Sequence, residues 1–422
     1  MNQFTASIWG DEGWAITLAV KPIVQIIKIV SRDTSPPFYY LLSHFWMKIF
    51  GTSELSIRSL TFLFFLGTAL TVYLIGKHLW DSKTGLIAGI LTLANPFLFN
   101  YAFEGRMYSL LALTSTLSVY FFLKKERLGF VLATTAALYT HHFSIFVVFW
   151  EGVWRLWETK SLRRFSDFFL IGLLYLPWLY PLYYQTSLVS GGFWLGKPTL
   201  KVFGETVVKF LVGGGKEKIR QMALILIIPV LFFRTWFKTK NKSLFLLGWF
   251  FAPLGLTYLI SRFFQSIFFD RYMLVAIPAA TLILASGRRK FSLILILVII
   301  ILLTSLNYQY FIHPTKRPFR QLADFIKKEA PGLTLINYSG AAHHIWESKY
   351  YGLNAPIYSP TTLPFYVGTA LMEKNDIISQ LPDEKTLGLI TSSPVEEVKI
   401  PDYRIIKFQQ FGELKFIWLE KL

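Results

Sequence analysis

The stretch Phe291-Ser292-Leu293-Ile294-Leu295-Ile296-Leu297-Val298-Ile299-Ile300-Ile301-Leu302-Leu303 continues to Phe311 without one charged side chain. A helix rising about 1.5 Å per residue needs about 20 such residues to cross the hydrocarbon of a bilayer, so this run reads as a membrane span. Working outward, nine more apolar runs precede it: Leu60–Trp80, Gly85–Ala102, Tyr108–Leu123, Phe130–Phe143, Ser144–Trp157, Phe168–Tyr184, Met222–Trp236, Leu244–Ile260 and Tyr272–Ser286. The fourth and fifth of the ten form one long stretch that must turn near His141-His142. The whole chain agrees, with 53% hydrophobic, 18% aromatic and 16% charged side chains and a mean hydropathy of +0.45. A soluble globular composition is excluded.

Net charge is +18, which is compatible with nucleic acid, anionic lipid or the asymmetry of membrane loops. From Ile312 onward 13 bases face 12 acids, so nearly all the excess lies in the apolar part. Nucleic acid is therefore not an expected partner, whereas membrane lipids are. The bases cluster in alternate connections: Lys77 and Lys83; Lys124, Lys125 and Arg127; Arg155, Lys160, Arg163 and Arg164; Arg234, Lys238, Lys240 and Lys242; Arg288, Arg289 and Lys290. Lysine and arginine mark the cytoplasmic side. The opposite side, expected outside the cell membrane, then holds residues 2–59, the Gly105 turn, the 191–220 loop, the 262–271 turn and everything after Phe311. The absence of cysteine rules out disulfides and thiolate chemistry.

Three regions follow: an outer-surface loop over 1–59, a transmembrane helical domain over 60–311 and an extracytoplasmic domain over 312–422. Within the first, Trp14–Val30 and Pro37–Phe50 are apolar but carry Lys21, Lys28 and Lys48, and read as amphipathic helices on the outer surface. Ten spans with an external C-terminus put the N-terminus outside as well, yet Met1–Gly10 has no basic and apolar signal to carry it there. A helix upstream of Met1 is the expectation. Past the 313–318 linker, Phe319–Ala330 has helical periodicity, Leu333–Tyr338 and Leu387–Thr391 read as strands, and Tyr403–Phe408 with Leu414–Leu419 as a hairpin. That is a small α/β domain.

Several residues suit chemistry. Asp11-Glu12, ahead of an apolar run, can act as general base or metal ligand, or as a solvated helix cap. Arg58, Arg106 and Arg271 sit at three outer turns, with Glu104, Tyr108 and Tyr272 beside them. Outer arginines oppose the usual charge bias, and guanidinium forks match phosphate oxygens; snorkelling to lipid headgroups is the plainer alternative. His141 and His142 can donate to a phosphate, although adjacent histidines diverge on a helix and lack metal spacing. His343, His344 and Glu347 share one helix face, for which a solvated surface is the simpler reading. Glu151 lies inside a span, where it is either functional or paired with Arg155 one turn on.

In order and spacing, the first 125 residues resemble the bacterial protein O-mannosyltransferase and aminoarabinose transferase-like family, polyprenyl-phosphate-sugar glycosyltransferases of the GT-C fold. Trp9-Gly10-Asp11-Glu12 resembles the acidic pair of the family's first outer loop. Asp33-Thr34-Ser35-Pro36-Pro37-Phe38-Tyr39-Tyr40 resembles its Asp-x-His-Pro-Pro-Leu-Tyr-Tyr stretch, with Ser35 replacing the histidine. Phe50-Gly51-Thr52-Ser53-Glu54 with Arg58, then Glu104-x-Arg106-x-Tyr108 and Arg271-Tyr272-Met273-Leu274, continue the pattern. The resemblance implies a GT-C-like polytopic helical fold of about ten visible transmembrane helices that lacks the family's first, with a C-terminal external domain.

It further implies Asp11 as catalytic base beside Glu12, and Asp33, Arg58, Glu104, Arg106, Tyr108, His141, His142, Arg271 and Tyr272 as candidates around the lipid phosphate or substrate. The expected partners are a polyprenyl-phosphate sugar donor and a protein, lipid or glycan acceptor. Such a donor carries its own leaving group, so one base and several cations suffice, and a single inverting displacement is the simpler course. No cofactor is required; a divalent metal on Asp11 or Glu12 is compatible with the residues. No Gly-rich nucleotide loop precedes a helix, which argues against a nucleotide-sugar donor. The competing classes are a lipid or solute transporter, which would place charges near the midplane in paired repeats, and a polymer-ligase-type membrane enzyme.

Overall fold

The computed structural model describes residues 2–160, 165–214, 240–286, 290–338 and 344–422, with Met222, Leu224, Ile225, Ile228 and Pro229 between. The chain divides into two compact units, one of residues 1–34, 40–57 and 313–422, the other of residues 35–39 and 58–312. The expected surface loop and C-terminal domain thus fall into one unit rather than two.

In that unit α1 (Gly10–Ala19) and α2 (Ile23–Val30) replace the single amphipathic helix expected over Trp14–Val30. Lys21-Pro22 causes the break, because the residue before proline avoids the helical region. Only α2 is amphipathic, burying Ile26 and Val30 while Ile23, Val24 and Ile27 are exposed; α1 is buried almost all round. Helix α3 (Phe38–Phe50) follows and α4 (Glu54–Leu79) begins. The C-terminal part contributes α16 (Phe319–Glu329), α17 (His344–Tyr350) and a sheet of β1 (Leu335–Tyr338), β2 (Ile357–Tyr358), β3 (Ile377–Ile378), β4 (Thr386–Thr391), β5 (Tyr403–Phe411) and β6 (Leu414–Lys421). Its order is β3-β2-β1-β4-β6-β5, the first four strands parallel and the β5–β6 hairpin antiparallel to β4. Helix α16 packs Phe319, Leu322, Ala323 and Ile326 against Leu335, Ile390, Leu414 and Phe416, as its periodicity requires.

Among the described residues, the second unit is helical throughout. It holds the rest of α4, then α5 (Ser82–Ala94), α6 (Pro96–Ala102), α7 (Tyr108–Lys124), α8 (Arg127–Thr140), α9 (Ile145–Thr159), α10 (Ser166–Tyr175), α11 (Leu179–Ser190), α12 (Leu200–Val212), α13 (Lys240–Phe263), α14 (Ile277–Ala285) and α15 (Lys290–Ile312). Among the described residues three helices are long and apolar enough to cross a membrane, those at Glu54–Leu79, Lys242–Phe263 and Leu293–Ile312. The bent pair α5 and α6 makes a fourth.

Other expected spans are broken. Gly85–Ala102 bends by 63° at Asn95-Pro96, where proline offers no amide to the α5 ladder and Asn95 caps α6 through Phe97 and Leu98. Phe168–Tyr184 passes through a tight turn at Leu176–Trp178 and extends to Ser190. Tyr272–Ser286 is helical only from Ile277, after two single-turn segments. The run Met222–Trp236 lies outside the described residues apart from the five positions named, and so do Arg163, Arg164, Arg234, Lys238, Arg288 and Arg289. The turn at the histidines is present: α8 stops at Thr140, His141 accepts from Phe143 N–H, and α9 starts at Ile145.

Buried charged groups find partners. The Glu151 Oε1 accepts from Ser118 at 2.8 Å, and Ser118 meets Thr134 at 2.7 Å. Arg155 reaches Asp167 at 3.4 Å, which Arg127 also meets at 2.8 Å. His344 and Glu347 are not a solvated face, for both are buried and joined Nδ1 to Oε2 at 2.5 Å; His343 lies outside the described residues.

Candidate functional site

In the helical unit, sequence-distant aromatic and charged groups converge on the short turn Asp270–Tyr272. Asp270 Oδ1 accepts from the Arg271 backbone N–H at 2.7 Å, and its other oxygen pairs with Lys209 of α12. Arg271 donates to the Tyr108 hydroxyl at 3.4 Å, with its guanidinium 4.5 Å from the Phe269 ring and 5.6 Å from that of Tyr108. Burial opposes the guanidinium charge, but Tyr108, Glu104 and Tyr101 outweigh it and hold Arg271 charged more firmly than in water. Tyr272 stands beside it with its ring 4.7 Å from His141, 5.0 Å from Phe143 and 6.3 Å from Tyr108. Tyr101 completes the aromatic wall, 5.1 Å from Tyr108.

Of the expected residues, then, Glu104, Tyr108, His141, Arg271 and Tyr272 gather in one place. A permanently charged fork among aromatic faces can hold an anion and exclude water from it. Arg106 donates its backbone N–H to the Glu104 carbonyl at 2.6 Å, in the tight turn that presents both side chains. Arg58 is fully buried, where Thr61 Oγ1 ties the Arg58 carbonyl to that of Ala102.

His142 has a different place: its ring nitrogens meet Tyr175 at 3.2 Å and Gln185 at 2.7 Å. Gln185 in turn donates to the Ser35 carbonyl at 3.4 Å, which braces the Asp33–Tyr40 stretch at the position where the family has histidine. Both imidazole nitrogens are thus committed to protein partners. Lys209, Tyr101 and Gln185 carry no motif in the sequence, whereas Asp270 stands out there as the acid beside Arg271 and Tyr272 at an outer turn.

In the other unit, Asp11 is the second residue of α1 and half-buried. Glu12 is fully buried, accepting from Lys316 at 2.8 Å and, through its second oxygen, from Trp9 N–H at 3.4 Å. The neighbouring acids therefore part: Glu12 caps the helix and neutralises a lysine, whereas Asp11 is accessible to solvent. Asp33 closes the turn after α2, donating its N–H to Val30 at 3.1 Å. Glu54 meets Arg320 of α16 at 2.6 Å and Tyr351, just past α17, at 2.9 Å. Among the described residues no three metal-ligating side chains converge.

Residues 34–184 match the family model described as dolichyl-phosphate-mannose-protein mannosyltransferase. This segment contains Arg58, Glu104, Arg106, Tyr108, His141 and His142, and begins after Asp11 and Glu12. Among solved structures, ArnT from Cupriavidus metallidurans in the apo state is similar at a TM-score of 0.68 and 12% identity, over 98% of this chain and 94% of that one. ArnT from the same organism bound to undecaprenyl phosphate gives 0.64 at 13% identity with the same coverage, 98% and 94%. The oligosaccharyltransferase from Archaeoglobus fulgidus in the apo form gives 0.50 at 14% identity, over 88% of this chain and 60% of that one. No curated protein sequence matches the chain. The fold is of the GT-C kind, and the resemblance drawn from the motifs holds.

Proposed function

From a GT-C fold and a mannosyltransferase-family match we propose that this chain is a multi-pass membrane glycosyltransferase that moves a sugar from a polyprenyl-phosphate donor to an acceptor hydroxyl on the extracytoplasmic face. The observation that carries the reading is the half-buried Arg271 guanidinium, bonded to Tyr108 with Tyr272 and Glu104 beside it. A cation among aromatic rings suits the phosphate of a lipid carrier. The undecaprenyl phosphate bound to the similar ArnT supports that chemistry.

In this reaction Asp11 takes the proton of the acceptor hydroxyl as its oxygen attacks the anomeric carbon. The bond to the phosphate oxygen breaks as the new bond forms, and polyprenyl phosphate leaves with the added negative charge. One displacement inverts the anomeric centre. The family resemblance assigns the base to Asp11, and Glu12, bound to Lys316, supports the helix start that carries it. The test is transfer from a radiolabelled polyprenyl-phosphate sugar by the protein in lipid vesicles. Label should appear in an acceptor with the opposite anomeric configuration. Movement of intact donor across the vesicle wall without transfer would instead indicate a transporter.

A further inference from the structure

The C-terminal sheet carries a cavity of about 320 Å³ that none of the residues assigned to sugar transfer lines. Four strand ends frame it. Tyr358 closes β2, residues 379–383 lead away from β3, Tyr403 opens β5 and Lys421 closes β6. Its walls are fixed by the fold: Tyr403 bonds the Pro382 and Glu384 carbonyls at 2.8 and 2.7 Å, and Leu422 N–H donates to the Asp402 carbonyl at 2.9 Å. Asp402 holds a left-handed backbone, φ 61°, that aspartate tolerates better than most residues.

The chemistry of the lining selects among ligands. Lys421 is paired with Asp383, whose carboxyl it holds below the usual range, so no free cation is offered to a phosphate or carboxylate. Asp402 adds a second carboxylate, and the surface is mostly polar, which disfavours both anions and lipid chains. What remains is a set of acceptors in Asp402 and Asp383, an amide in Gln380 that donates and accepts, and two tyrosine side chains, Tyr358 and Tyr403, largely buried beneath them. Neutral hydroxyls donating to carboxylates make charge-assisted bonds, and amides accept and donate alongside. The volume stands at the small end of ligand pockets, roughly 300–1,000 Å³, enough for one ring and too little for a peptide or polyprenyl chain.

We propose that this cavity is a saccharide subsite that holds a single sugar ring of a glycan, apart from the residues that carry out transfer. It stands on the lining alone and does not depend on the transfer reaction. Methyl glycosides of mannose, glucose, galactose and arabinose are the probes, presented to the full chain in lipid nanodiscs and read by saturation-transfer NMR. At least one should receive saturation, and Asp402→Asn with Gln380→Ala should weaken it roughly tenfold, the loss expected for a charge-assisted bond. Both positions are exposed, so the variant should melt with the wild type. Asp11→Asn should leave the signal intact. No saturation of any probe, an unchanged signal in the double variant, or a signal lost with Asp11→Asn would each overturn the assignment.

Discussion

At the scale of single residues the acidic pair separates into a buried Glu12 bound to Lys316 and a half-buried Asp11, a difference that adjacent carboxylates in a sequence do not reveal. Asp11→Asn keeps shape and removes proton acceptance, so turnover should fall by about 100-fold or more while donor binding and melting temperature are kept. Vesicle transfer assays with a binding control read this directly, and near-normal turnover would remove Asp11 from its role. Glu12→Gln acts on the fold instead. It leaves Lys316 largely buried opposite a neutral amide, and breaking such a pair costs about 3 kcal/mol, visible as a lower melting temperature. Arg271→Ala should weaken binding of the lipid phosphate, and Arg271→Lys should restore part of it because the point charge returns without the fork. Arg404→Ala is the comparison, an exposed guanidinium bound to Glu420, and equal donor affinity in Arg271→Ala and Arg404→Ala would count against the anion site.

At the scale of elements the apolar runs were legible because hydrophobicity is local, and each described run contains helix. Their breaks were harder to see. Pro96 and Pro177 could be read as interruptions, but whether a proline kinks a span or ends it depends on the cap beside it, here Asn95 held by the Phe210 carbonyl. Convergence at Arg271 was legible only as recurrence of arginine at outer turns; Lys209, 61 residues away, carried no signal that it would meet Asp270. Close helix approach leaves a clearer trace in glycine. A Cβ on Gly76 would stand 2.7 Å from Gly85 Cα, so α4 and α5 touch through two side-chain-free positions. Gly76→Val should force them apart and lower stability by about 1–3 kcal/mol, measured by tryptophan fluorescence on heating. An unchanged melting curve would mean that this contact is not tight in the membrane.

At the scale of the whole molecule, the unit that carries Asp11 is assembled from three stretches of chain. Sequence patterns showed each stretch and not their union, because the bonds that join them span very long separations: Arg320 to Glu54 across 266 residues, Tyr351 to Ile8 across 343. Helix α1 lies so close on α17 that a Cβ on Gly13 would be 2.7 Å from the Trp346 carbonyl oxygen. Residues 313–422 expressed alone should therefore be cut by protease far faster than the same residues in the full chain, as their partners on α1 are missing. The Glu54 junction makes this assembly sensitive to acid. Burial alone would raise its carboxyl, but hydrogen bonds from Arg320, its own backbone and Tyr351 outweigh that and hold it below the ordinary 4.5. A carboxylate with a lowered native pKa stabilises fully above its unfolded value and loses that contribution as pH falls through the native one. Glu54→Gln should thus melt below the wild type at pH 7, and the gap should close as pH drops from about 4.5 downward. A gap that stays constant down to pH 3 would show that the side chain's shape, not its charge, joins the three stretches.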